Sequence, residues 1–188
     1  MRSTKGKFYR IFSNLFRLII ILESIYFFIN NKTTLLPYCL LTFITTFIPD
    51  ILYRIFKLKP SNSIRFFIQF FIFLSMFLGH INNLYHYIKH WDDILHVFSG
   101  FILGLLAYLI LQKFDKGRRY ILSNKGLVAF FIIIFGIASA GIWEIFEYST
   151  DYFLGTQSQS GSLDDTMIDI INGSIGPIII SIYYSIKG

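Results

Sequence analysis

The sequence predicts an all-α fold, a single transmembrane bundle over residues 1–188 with six spans and both termini on the cytoplasmic side. Three observations lead there. Charged residues are 15% of the 188 and hydrophobic residues 54%, whereas an ordinary soluble domain is about 25% charged. The mean hydropathy is +0.59, so there is more apolar surface than one small globule can hide. Lipid must be the solvent for much of it. Finally, the basic residues sit in short clusters between apolar runs, nearly all on one side of the predicted membrane.

Six apolar runs are long enough for a hydrocarbon core of ~30 Å, which takes about 20 helical residues. They lie near 11–30, 33–55, 63–84, 92–113, 125–147 and 165–186. The second run has Pro37 near its start and Pro49 near its end, which predicts a kink or a shortened helix. The first run is followed by Asn30, Asn31 and Lys32 rather than a small-x-small cleavage site, so it reads as a span and not as a signal peptide. Residues 155–162, Gly and Ser/Thr/Gln throughout, read as an outer loop.

Basic residues set the orientation. Arg2, Lys5, Lys7, Arg10 and Arg17 precede or open run one. Arg54, Lys57, Lys59 and Arg65 lie between runs two and three. Lys113, Lys116, Arg118, Arg119 and Lys125 lie between runs four and five, and Lys187 closes the chain. Only Lys32 and Lys89 fall on the opposite side. The net charge of +6 is therefore a topology signal, and nucleic acid is not expected as a partner; membrane lipid is. Cys39 is the sole cysteine, so it is expected as a small buried residue with no internal disulfide.

Polar residues within the spans converge on one layer. An ionisable group at the bilayer centre costs about 2.5–3.5 kcal/mol on insertion scales, so each is a functional candidate. In the predicted orientation Glu23, His80, Asp92, Asp93, His96, Glu144, Glu147, Asp164, Asp165, Asp169 and Asn172 all lie in the outer half. Asp50 is the main inner exception, and its spacing to Arg54 predicts an i,i+4 pair at the cytoplasmic boundary. Glu23 stands alone on its span and is expected to face water, while His80 is expected as a hydrogen-bonded partner. Asp93 and His96 are spaced i,i+3, as are Glu144 and Glu147; Asp165, Asp169 and Asn172 are spaced i, i+4, i+7. Each set occupies one helix face. The predicted pocket is therefore Asp93, His96, Glu144, Glu147, Asp165, Asp169 and Asn172, with Asp93 at the rim, Asn172 deepest and loop 151–163 over the mouth.

Carboxylates gathered this way repel one another unless cations, shared protons, water or a positive substrate group compensate. Inward carboxylates with an imidazole are how helix bundles build metal sites. His96, Glu144, Glu147, Asp165 and Asp169 are the candidate ligands for a divalent metal ion. Oxygen-rich sets suit Mg, Ca or Mn, and an imidazole admits Zn or Fe. The alternative is a hydrated vestibule without metal. Small residues let transmembrane helices approach closely. Gly100 and Gly104 on run four, Gly136, Ala138, Ala140 and Gly141 on run five, and Gly173, Ser174 and Gly176 on run six mark runs four to six as the tight core. Packing is expected through Gly100, Gly104, Gly141 and Gly173. The same G-x-x-x-G could instead be the face of a homo-oligomer.

Three segments carry a family resemblance: Trp91-Asp92-Asp93-Ile94-Leu95-His96, Trp143-Glu144-x-x-Glu147, and Asp165-Thr166-Met167-x-Asp169-x-x-x-Gly173. With Pro49-Asp50 on run two, they resemble the YjdF-like family of bacterial inner-membrane proteins over most of the chain. The last three spans are also similar to the VanZ-like group, with two departures: Glu147 stands where that group has Gln, and residues 151–163 hold no Arg. The resemblance implies a multi-pass protein of the cytoplasmic membrane and points to the same polar site; it implies no reaction. Three functions fit the sequence. One is a metal-assisted enzyme or lipid-binding protein acting on lipid or envelope substrates at the outer leaflet. Another is a non-catalytic accessory protein with a structural polar core. The third is a proton- or ion-coupled transporter, against which stand the clean inner half and the lack of a visible inverted repeat or broken helix pair. No Ser-His-Asp set, phosphate loop or H-E-x-x-H motif is present, so no catalytic residue is assigned.

Overall fold

The computed structural model describes residues 4–115, 120–155, 158–159 and 162–187. Among these residues every regular element is helical, and six helical segments are long and apolar enough to cross a membrane: Gly6–Ile29, Thr33–Arg54, Asn62–Ile81, Trp91–Asp115, Lys125–Leu154 and Leu163–Ile186. Their contacts group the chain into two compact units, Met1–Trp91 and Asp92–Gly188.

The first unit holds α1 (Thr4–Ile29), α2 (Leu36–Thr45), α3 (Ile48–Arg54), α4 (Asn62–Ile72) and the short α5 (Leu84–Tyr87). A ladder of aromatic rings fixes the register of α1 on α4. Phe12 packs against Phe66 at 5.1 Å between centroids and Phe16 against Phe73 at 5.3 Å. The second span is discontinuous, broken between α2 and α3 at Thr46 and Phe47. Pro49 is buried there and has no N–H to return to the carbonyl four residues back. Arg17, about halfway along the first span, closes the break. Its Nε donates to Thr46 Oγ1 at 2.9 Å and its Nη2 to the Thr46 carbonyl at 3.1 Å. The guanidinium also lies over the Phe47 ring, 4.1 Å from the centroid.

Three expectations change in this unit. Asp50 pairs with Arg65 rather than Arg54. Arg54 ends α3, exposed, whereas α4 brings Arg65 back over both Asp50 and the Tyr9 ring. Glu23 is half-buried and meets the Asn82 side chain instead of standing alone in water. His80 is exposed and lies against aromatic rings, 4.8 Å from Tyr85 and 6.1 Å from Tyr38. Its segment, Phe73–Ile81, is a π-helix that continues α4.

The second unit consists of α6 (Trp91–Asp115), α7 (Lys125–Leu154) and α8 (Leu163–Lys187). Ala107 and Leu111 of α6 pack with Val128 and Ile132 of α7, flanked by Ile180 and Tyr184 of α8. Between such apolar helices packing is a matter of fit rather than of hydrophobic drive, and small residues provide it. Pro177 sits inside α8, where it has no N–H to offer the carbonyl of Gly173, four residues back. That carbonyl faces Gly100, and any Cβ on Gly100 would strike it. Gly176 likewise lies against the Phe101 backbone and Gly136 against the Pro177 ring. Gly141 is the correction: a Cβ there meets nothing within 4 Å. It stands one residue beyond Ala140, which does face Gly173, and a step of about 100° around a helix turns it away.

α7 continues seven residues past the predicted end of the span at 147, to Leu154. Glu144, Glu147 and Asp151 dilute its apolar pattern without breaking the helix. Gly155, at φ 68°, ends it in the left-handed region that glycine adopts without strain.

Candidate carboxylate and histidine site

α6 and α8 position the centre of the site. His96 is 7% exposed and Asp169 2%. His96 Nε2 lies 3.7 Å from Asp92 Oδ1, one turn earlier on α6, and 3.9 Å from Asp169 Oδ1 on α8. One ligand atom from each of the three residues falls within 4.8 Å of the others. Two atoms each about 2.0–2.2 Å from a common ion are at most about 4.4 Å apart, and the longer bonds of Ca, about 2.3–2.6 Å, widen that limit. The imidazole separations fit either case.

Glu144 stands beside this trio on α7. It is 3% exposed, and its Oε1 is buried without a hydrogen-bond partner. Its other side is held by Gln159. The Gln159 amide donates to the Glu144 carbonyl at 3.1 Å and to Thr166 Oγ1 at 3.1 Å, and lies 3.5 Å from Glu144 Oε2. Asp151 secures that residue in turn, its two carboxylate oxygens accepting from the backbone N–H groups of Ser158 and Gln159 at 2.8 and 3.0 Å. Asp165, half-buried at the start of α8, is near enough for its charge to act on Asp92, Glu144 and Asp169. Glu147, one turn from Glu144, is in the same range of Glu144, Asp92 and Asp169.

Asp93 and Asn172 form a separate bridge. Asn172 Nδ2 donates to Asp93 Oδ1 at 2.8 Å, so the two lie at one level rather than at the rim and the floor. Asp92 is the α6 carboxylate within 4 Å of His96 Nε2, and Asp93 remains near enough for its charge to act on the imidazole. Both spacings, i,i+3 and i,i+4, put a carboxylate on the histidine's face. Gln159 carried no sequence signal, and Thr166 entered only as a position of the family resemblance. Their role arises from the chain folding back after Gly155. Residues 156, 157, 160 and 161 of the predicted covering loop lie outside the described residues.

Comparison with known proteins gives this geometry a family. Residues 12–187 match the model of a family described as predicted membrane protein (DUF2238). The chain belongs to this family. An uncharacterised protein of Thermotoga maritima is 34% identical over 105 residues, 56% of this chain. The matched segment spans 53% of that relative's length. No solved structure matches the chain.

Proposed function

We propose that this protein works in the bacterial cytoplasmic membrane, both termini inside, and binds a divalent cation at its outer face through Asp92, His96 and Asp169. What carries the reading is the meeting of the three ligand atoms within 4.8 Å on two helices. Glu144, whose buried Oε1 has no hydrogen-bond partner, stands near enough for its charge to act on Asp169 and adds to the demand for a cation. Glu147 and Asp165 enclose the site and offset the ion's charge. A bound dication also answers an electrostatic problem: clustered carboxylates in a low-dielectric bundle need compensation. In the charge-derived orientation the site lies at headgroup depth. A cation held there by Asp92, His96 and Asp169 would supply Lewis acidity, activating water and polarising a phosphoryl oxygen, which suits a lipid or envelope phosphoester. A second reading, ion-coupled transport, gains from the discontinuous second span, a device of transporter binding sites.

The test is metal content. Purified protein incubated with Mn²⁺ or Zn²⁺ and then desalted is expected to retain at least one ion per chain by elemental analysis. Asp169→Asn, nearly isosteric, is expected to lose it while melting like the parent. A parent that retains neither ion, nor Ca²⁺ when that is supplied, overturns the cation reading.

A further inference from the structure

A groove of about 660 Å³ runs between α1 and α2 in the first unit, within the ~300–1,000 Å³ range of small-molecule sites. Ile21 and Ile25 wall it on one side, Leu36 and Leu40 on the other. Polar side chains are few along it: Thr33 at its outer end, then Ser24 and Cys39. Ser24 already donates to the Ile20 carbonyl at 2.7 Å, and Cys39, at the floor, is 1% exposed. Inside of Thr33 the occupant must therefore be hydrocarbon where it lies against the apolar walls.

Two further observations identify which hydrocarbon. The groove extends from Thr33, at the first turn of the second span, to Phe43, close to that span's middle. Ten helical residues are about 15 Å, half of a ~30 Å hydrocarbon core, which is the depth of one leaflet. Its inner end is limited by charge, because Arg17 lies one turn before Ile20 and Ile21 and is tied to Thr46. At the outer end Lys32, exposed, immediately precedes Thr33. A lysine near a membrane surface attracts anionic lipid by about 1 kcal/mol. We infer that this groove is a binding site for one phospholipid with an anionic headgroup, an acyl chain lying between α1 and α2 and the phosphate beside Lys32. The inference uses the membrane-spanning character of the chain and not the cation site, so either can fail without the other.

The experiment is native mass spectrometry of the detergent-released full chain offered phosphatidylglycerol or phosphatidylcholine with identical acyl chains. The parent is expected to retain one phosphatidylglycerol, about five-fold more than phosphatidylcholine, as expected from one lysine. Lys32→Gln is expected to remove that preference. Ser24→Phe, which grows a ring from the groove floor, is expected to reduce retention of both lipids at least ten-fold. Leu40→Trp, at a 62% exposed wall position, serves if Ser24→Phe does not fold. A diazirine-tailed phosphatidylglycerol is expected to label peptides within residues 20–25 and 36–43. Equal retention of the two lipids by the parent, undiminished retention in the filled-groove variant, or labelling elsewhere would each overturn the assignment.

Discussion

Two chemically identical substitutions should move stability in opposite directions. In Gly100→Ala the new methyl carbon meets the Gly173 carbonyl, a backbone atom beside Pro177 that no side-chain rotation can clear. Overpacking of this kind costs about 1–3 kcal/mol, and a rigid backbone contact belongs at the upper end. Alanine recovers about 1 kcal/mol of helix propensity, leaving a net loss of about 2 kcal/mol. For a chain of this size that is a fall of about 4–8 °C in Tm. In Gly141→Ala the methyl meets nothing within 4 Å. Only the propensity gain applies, a rise of about 2–4 °C. Thermal unfolding in detergent, followed by circular dichroism, measures both. If the two variants shift equally, or Gly100→Ala melts with the parent, the close α6–α8 contact at the Gly173 carbonyl is wrong.

The fold-back over Glu144 rests on Asp151, whose carboxylate accepts two backbone N–H groups. Hydrogen bonds to charged groups contribute about 1.5–3 kcal/mol each, and half-burial keeps the sum near the low end. Asp151→Ala should therefore speed hydrogen exchange at the Ser158 and Gln159 amides by about 100-fold, a change of ~3 kcal/mol; unchanged protection would show that the segment is held by something else. Topology is read with reporter fusions. Those after Lys32, Lys89 and Ser160 should report an external position and those after Lys59 and Arg119 a cytoplasmic one, and a single reversal breaks the proposed orientation.

The six spans were legible because crossing a bilayer demands length and apolarity, and both are properties of local sequence. Pro49 announced trouble in the second span. What it could not announce was where the freed backbone would find its partner, because Arg17 lies 29 residues away. The π-helical stretch Phe73–Ile81 has no compositional mark at all. Small residues advertised a close packing face, but helical phase decides which of them use it, so Gly136 and Gly176 make contacts where Gly141 makes none. Within the candidate site, spacing placed carboxylates on the right helix faces. It could not tell that Asn172 would reach Asp93 or that Asp92 would lie within 4 Å of the imidazole, nor reveal Gln159, whose reach to Glu144 spans 15 residues.

The bond between Arg17 and Thr46 also bears on how the protein is made. An arginine near the centre of a lone helix costs about 2.5–3.5 kcal/mol to leave in the bilayer, and an open turn of backbone at that depth is no more welcome there. Each of the first two spans therefore carries a defect that only the other can mend: one brings surplus donors, the other an exposed carbonyl and hydroxyl. The two partners are 29 positions apart in the chain. The stable product of insertion is therefore the hairpin of the two spans rather than either span alone.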